Sequence, residues 1–170
     1  MRYAVVSAAA ILASVAATLT AFSALRSAGA EQRLSPIYGV ALPEGYRRWQ
    51  LIAPSSEGPP LNELRSILAN ERGVMAYQSK ILPFPDGTVL VKLAWKRQQL
   101  GEFASATVPG DPTTVQVMVK DSKRYAASGG WGFGRFVNGK PVDRAQHETC
   151  LSCHQQNVKD HDIVFTRYAS

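Results

Sequence analysis

The sequence is poor in the residues that commonly bind metal ions. It contains two cysteines and three histidines in 170 residues. A structural zinc site needs four ligands, usually arranged as two pairs, so these residues are a poor match for one. The cysteines are Cys150 and Cys153, and a redox disulfide of this spacing is expected beside a βαβ unit. Nothing resembling such a unit surrounds the pair.

Long runs of like charge are also missing. The formal net charge is +6, but the positive residues are scattered along the chain and no run reaches five. Nucleic-acid binding therefore has little support, and no nucleic-acid partner is expected. The mild excess of positive charge would suit an acidic partner, although a solvated surface is the simpler interpretation.

The two cysteines belong to the most informative segment of the chain, Cys150-Leu151-Ser152-Cys153-His154. A Cys-x-x-Cys-His sequence is typical of covalent attachment of c-type haem. Each thiol adds to one vinyl group of the porphyrin, and the adjacent imidazole reaches the iron as its proximal ligand. In a helix, positions i, i+3 and i+4 share one face, so the three side chains would point at one ring. We therefore predict one covalent haem c, attached through Cys150 and Cys153 and ligated by His154.

The N-terminal segment has the three parts of a secretory signal peptide. A basic start is followed by an apolar run over about residues 3–25 and by the small residues Ala28-Gly29-Ala30. Residues 1–30 are therefore predicted to be a cleaved signal peptide. An uncleaved anchor is the alternative, because about twenty apolar residues can span a bilayer. Residues 31–170 are expected to be periplasmic in both cases, and to be held at the membrane only if the leader stays attached.

The remaining chain, residues 31–170, is predicted to be a single domain because no linker, repeat or low-complexity segment divides it. Apolar and polar residues alternate over residues 88–96 and 114–120, and again at 163–165. This period of two indicates half-buried strands, with Lys92 and Lys120 on the polar sides. Residues 131–136 also alternate, and their glycines would let a flat ligand or another backbone approach closely.

Helices are expected to be few and short. Asn70 is a good N-cap for a helix over about residues 71–80, and Asp143 for one that carries the haem motif to about Asn157. Residues 53–60 and 101–112 are expected to be loops because of their proline and glycine content. The predicted fold is α+β: a mainly antiparallel sheet with short peripheral helices and a haem-bearing C-terminal helix. Long amphipathic helices are missing, which argues against a four-helix cytochrome c-prime bundle.

The position of the motif bears on the other iron ligand. In small electron-carrier cytochromes c a methionine ligand follows well downstream, but no methionine follows His154. Outside the leader only Met75 and Met118 are left, and Met118 is expected to fill a gap in the core. A five-coordinate iron, or one with an unusual distal group, is therefore predicted, which favours small-molecule binding or catalysis over simple electron transfer. His147 is expected at the surface.

Five further segments carry a family resemblance by their sequence and their order along the chain. Four precede the haem motif and one follows it: residues 46–49 (YRRW), 84–88 (FPDGT), 117–121 (VMVKD), 130–133 (GWGF) and 162–167 (DIVFTR). With them the chain resembles the cytochrome P-460 family of periplasmic c-type haem proteins over most of residues 36–168. The resemblance implies a mostly β fold, often dimeric, with a five-coordinate haem, so a homodimer is one expectation. The best-known members oxidise hydroxylamine with nitric oxide as a bound intermediate, and others are gas-binding proteins.

The resemblance also implies functional residues. In the hydroxylamine-oxidising members a lysine upstream of the Asp-Gly-Thr block forms an additional covalent bond to the porphyrin, and Lys80 is the candidate here. The alternative is an ordinary lysine in the last turn of a helix, favoured by the helix dipole. Phe84, Trp131 and Phe133 could wall an apolar haem pocket, although aromatic strand residues are more often plain core.

The predicted function is redox chemistry on hydroxylamine or nitric oxide, with a small diatomic or nitrogenous ligand and a periplasmic redox partner. The alternative function is a non-catalytic nitric oxide-binding protein or a single-electron carrier.

Overall fold

The computed structural model describes residues 34–169 of the chain. They form a six-stranded antiparallel sheet in which every strand lies beside its neighbours in the sequence. The elements are β1 (Gln50–Glu57), β2 (Glu63–Ala69), α1 (Glu71–Gln78), β3 (Val89–Gln99), β4 (Thr107–Lys120), β5 (Trp131–Val137), β6 (Lys140–Pro141) and α2 (Arg144–Val158). The predicted α+β class is therefore confirmed. The predicted signal peptide, residues 1–30, lies outside the described residues.

The described residues also contain three short 3-10 helices: Tyr46–Arg48 before β1, Ala126–Ser128 between β4 and β5, and Lys159–His161 directly after α2. Within residues 34–169, no helix has both the length and the apolar character needed to cross a membrane.

Both predicted α-helices begin at the predicted caps. The Asn70 side chain accepts a hydrogen bond from the Gly73 amide (3.0 Å) at the start of α1. The Asp143 carboxylate accepts one from the Gln146 amide (2.9 Å) at the start of α2. Each cap satisfies an amide that has no partner within the helix. Helix α1 ends at Gln78, two residues before the predicted end.

Two predicted loops are strands in the structure. Strand β1 runs through most of residues 53–60, and β4 begins at Thr107, so its first part crosses the proline-rich segment. Proline is tolerated where a strand has no partner on one side. Pro54 lies in β1, the edge strand, and Pro109 and Pro112 precede the part of β4 that pairs with β5. The sequence pattern does not reveal which side of a strand is unpaired.

The strand predicted at residues 163–165 is wrong. No strand follows α2 among the described residues. Instead Asp162 and Ile163 have left-handed backbone conformations, with φ of 50° and 54°. A chain in this conformation turns sharply and cannot pair as an extended strand.

The sheet is packed on both of its faces. One face carries Leu90, Met118 and Phe133, which lie opposite one another in β3, β4 and β5. These residues, helix α1 and the segment around Val164 form one hydrophobic cluster, against which Cys150 packs. We call this side the motif face, because helix α2 packs against β5 there.

The opposite side is called the packing face. Its cluster is formed by Val40, Leu68, Val91, Leu93, Val117, Tyr125 and Phe136. Gly132 belongs to this side, where an added Cβ atom would overlap the ring of Tyr125. The close approach expected at the glycines of β5 is therefore made at Gly132 by the Tyr125 ring, and not by a ligand.

The lysines predicted on the polar sides of β3 and β4 are not solvated. Lys92 is half-buried and Lys120 is only 6% exposed. Alternation indicates a half-buried strand only when one face of the sheet meets water. Because both faces are covered here, these two lysines lie in the interior of the motif face.

Candidate haem-binding site

Helix α2 presents Cys150, Cys153 and His154 on one side, as their i, i+3, i+4 spacing requires. Both thiols are free, with Cys150 half-buried and Cys153 exposed. Burial raises the pKa of the Cys150 thiol, while nearby Arg135 and Lys92 act in the opposite direction. The helix therefore offers two thiols and an imidazole to one ligand on the motif face.

A fully buried histidine anchors this helix to the sheet. His147 is 0% exposed, so its predicted surface position is wrong. Its Nδ1 donates to the Asp143 carbonyl oxygen (3.0 Å), and its Nε2 accepts from the backbone amide of Arg135 in β5 (3.0 Å). With both ring nitrogens occupied inside the protein, His147 has a structural role and fixes the position of α2.

The imidazole of His154 is held in one protonation form. Its Nδ1 lies 2.7 Å from the carbonyl oxygen of Ile163. Because a carbonyl oxygen can only accept, Nδ1 carries a proton, and in the neutral ring Nε2 therefore keeps its lone pair. Burial lowers the pKa of His154, which favours the neutral ring. A neutral, oriented imidazole with a free Nε2 is the form that binds haem iron.

Two aromatic rings enclose His154. Phe133 of β5 meets it edge-on at a centroid distance of 5.1 Å, and Phe165 does so at 4.9 Å. Of the three predicted pocket residues, Phe133 therefore contacts the histidine that is predicted to bind the iron. Phe84 and Trp131 lie deeper in the core and contact each other, with centroids 5.8 Å apart. Phe165 was missed as a site residue, because its alternation with Ile163 indicates an ordinary strand.

Two cations lie on the face of the sheet that carries the motif: Lys92 of β3 and Arg135 of β5, which flank Gln116 in the sheet register. A third cation, Arg65 of β2, is paired with Glu57 (2.6 Å) and Glu63 (2.9 Å). Burial, reinforced by the positive charge of Arg65, lowers the pKa of Lys92 to about 8. Lys92 lies on the same face of the sheet as Phe133, which contacts His154, and its charge acts on the pKa values of Cys150 and His154.

Lys80 has a different environment. It is exposed immediately after α1, in the left-handed backbone region with φ of 55°. The two methionines also differ: Met75 is 59% exposed on α1, whereas Met118 packs against the core cluster of the motif face. A haem bond from Lys80 and an iron without a methionine ligand stay predictions.

Residues 43–166 match the family model described as Cytochrome P460, which covers most of the folded chain. The chain belongs to the cytochrome P460 family. Membership implies that this cytochrome P460 protein binds haem and its iron. A comparison with curated proteins found no match.

The residues on the motif face fit a haem. Two free thiols and a neutral imidazole on one helical face are the donor set that c-type attachment requires. The Nε atom of Arg135 is buried without a hydrogen-bond partner in the described part of the chain. A buried cationic donor is costly unless it meets an acceptor, and the propionate groups of haem are such acceptors. Arg135, with Lys92 beside it in the sheet, would therefore hold the acidic edge of the porphyrin.

Proposed function

We propose that this cytochrome P460 protein carries one covalent c-type haem in the periplasm and performs redox chemistry on hydroxylamine or nitric oxide. The observation that supports the proposal best is the His154 Nδ1 to Ile163 hydrogen bond of 2.7 Å, which leaves Nε2 free on the same helical face as both thiols. A bound haem supplies one-electron redox chemistry and an open iron position for a small ligand. A periplasmic redox partner is part of this proposal, and so is a homodimer.

Cys150 and Cys153 form the thioether bonds in this proposal. Addition of each S–H group across a vinyl double bond conserves all atoms and electrons, so the attachment needs no oxidant. Haem that stays with the chain after denaturation in acid is the expected result for the wild-type protein. The Cys150→Ser/Cys153→Ser variant, made together with Lys80→Met and Lys92→Met so that no lysine bond can hold the porphyrin, should lose its haem in the same treatment. Retention of haem by that variant would contradict attachment through the two cysteines.

The geometry favours Lys92 over Lys80 as a lysine that acts on the haem. Lys92 is half-buried beside the motif with a pKa of about 8, so a useful fraction of its amine is neutral near pH 7 to 8 and can act as a nucleophile or proton acceptor. A bond from its nitrogen to a porphyrin carbon replaces one N–H and one C–H bond. Two protons and two electrons are released, and a peroxide would accept them.

Absorption spectra of the reduced, haem-loaded protein test this assignment. A strongly red-shifted, broadened main band is expected for the wild-type protein and for Lys80→Met, and an ordinary c-haem band for Lys92→Met. The reverse pattern would restore Lys80 as the bonded lysine. An ordinary band in all three proteins, with hydroxylamine turnover lost only in Lys92→Met, would make Lys92 a proton acceptor instead.

A second candidate function is non-catalytic binding of nitric oxide, or single-electron transfer. Met118 supports the electron carrier, because it packs against the core cluster of the motif face and carries the thioether that such a protein would use as an iron ligand. Steady oxidation of hydroxylamine with an artificial electron acceptor is expected from the first proposal. Nitric oxide binding without turnover in fully loaded protein would favour the gas-binding protein. A low-spin spectrum that Met118→Ala abolishes would favour the electron carrier.

A further inference from the structure

The carbonyl group that orients His154 belongs to a strained turn. Asp162 and Ile163 follow one another with φ of 50° and 54°, in the left-handed region that residues other than glycine rarely enter. The conformation is especially costly for isoleucine, because its side chain is branched at Cβ. Such a turn persists only where surrounding contacts hold it.

A buried ion pair holds this turn. The Nζ atom of Lys120 lies 2.8 and 2.9 Å from the two carboxylate oxygens of Asp162. The same Nζ donates to the Gly129 carbonyl oxygen (3.1 Å) and lies 5.1 Å from the centre of the Trp131 ring. The Asp162 carboxylate also accepts from the Phe84 amide (2.9 Å). Both charges are therefore paired and hydrogen-bonded, as buried charges must be.

We propose that Lys120 and Asp162 are positioning residues for the haem iron. Their ion pair fixes the Asp162–Ile163 turn, and the turn aims the Ile163 carbonyl at Nδ1 of His154. The inference rests on the proposed role of His154 as the iron ligand. A hydrogen bond from Nδ1–H makes the imidazole a stronger donor to the metal and fixes its orientation. Strand β4 would thus act on the iron ligand through Lys120, whose ammonium group is paired with Asp162.

The test uses haem-loaded, full-length protein and two variants, Asp162→Asn and Lys120→Met. The first readout is the iron–histidine stretching frequency in the resonance Raman spectrum of the ferrous protein. If the turn relaxes, the hydrogen bond to Nδ1 weakens, and the frequency falls in both variants. The second readout is the reduction potential. An effect of charge alone would raise the potential in Asp162→Asn, lower it in Lys120→Met and leave the stretching frequency unchanged in both.

Unchanged frequencies in both folded variants would overturn the inference. If an unpaired buried charge prevents a single variant from folding, the double variant Lys120→Met/Asp162→Asn removes both charges, and the same fall in frequency is expected from it. Lys120→Arg, which keeps the cation, should return the frequency toward the wild-type value. Glu148→Gln is the matched control, because it removes a carboxylate from the exposed Arg144–Glu148 pair on the motif helix; its frequency should equal that of the wild type.

One further variant distinguishes the positioning role of Lys120 and Asp162 from the proposal that His154 is the iron ligand. An iron–histidine band that survives in His154→Ala would show that another residue ligates the iron, and the proposed ligand would fail. A band that disappears in His154→Ala but is unaffected by the Lys120 and Asp162 variants would overturn only the positioning role.

Discussion

The two faces of the sheet are built from the same strands but bury different chemistry. The packing face buries mainly apolar side chains, such as those of Val91, Val117 and Phe136. The motif face buries the Lys120–Asp162 ion pair and a lysine of lowered pKa beside its aromatic core. Buried charges contribute little net stability compared with well-packed apolar groups. The comparison indicates that the packing face stabilises the fold, while the motif face places charges where a ligand can use them.

The largest effect on stability is expected from Phe136→Ala on the packing face. Phe136 is 1% exposed, and truncating a buried phenylalanine costs about 3–5 kcal/mol. Urea denaturation would measure the loss in the free energy of unfolding. The haem spectrum of the folded variant should match that of the wild type. A loss below about 1 kcal/mol would show that the packing face does not supply most of the stability of the fold.

Gly132→Ala should lower the free energy of unfolding by a smaller amount than Phe136→Ala, again by disturbing the packing face. The added methyl group overlaps the Tyr125 ring, and overpacking of this kind costs about 1–3 kcal/mol. Gly101→Ala is the matched control, because an added Cβ there meets nothing within 4 Å. Equal unfolding free energies for the two variants would contradict the close packing of Tyr125 on β5.

On the motif face Lys92→Met should have the opposite effect and raise the free energy of unfolding. In the folded, haem-free protein the pKa of Lys92 is lowered from 10.5 to about 8, so folding disfavours its protonated form. Stability should therefore rise as the pH increases from about 8 to 10.5, and the penalty is fully present below 8. Lys92→Met should be more stable at pH 7, by on the order of 1 kcal/mol after allowance for solvent screening. Unfolding curves at several pH values test this, and an identical pH slope in the variant would refute it.

The smallest effect is expected at the exposed ion pair of helix α2. Arg144 and Glu148 are 3.0 Å apart at i, i+4 spacing, with most of both side chains in water. Such pairs contribute about 0.2–0.5 kcal/mol. Glu148→Gln should therefore change the midpoint of thermal unfolding only slightly, and that small change should vanish at high salt. A loss as large as that of Gly132→Ala would show that surface charge matters more than the comparison holds.

The features predictable from the sequence are those that depend on local spacing. The Cys150, Cys153 and His154 spacing places three side chains on one side of any helix. Asn70 and Asp143 can be recognised as caps because a cap satisfies amides only three residues away. The antiparallel sheet follows from alternation within β3, β4 and β5.

The features that could not be predicted depend on distant partners. Alternation alone makes Lys120 appear solvent-facing, because its partner Asp162 lies 42 residues away in sequence. The buried position of His147 depends on the register of β5 beneath α2, and the left-handed turn at Ile163 has no signal in an isoleucine. In each case tertiary contacts outweigh the local preference of the residue.

The order of the strands has a consequence for folding. Because each strand pairs with its sequence neighbour, no pairing has to wait for a distant part of the chain. The longest connection, residues 70–88 between β2 and β3, contains its own helix α1, and the entropy of closing a connection grows only slowly with its length. Low separation between contacting residues favours rapid folding. Helix α2 and the turn at Ile163 come after the last strand, so we expect the sheet to form first, strand by strand, and the segment with the Cys-x-x-Cys-His motif to dock onto a completed surface.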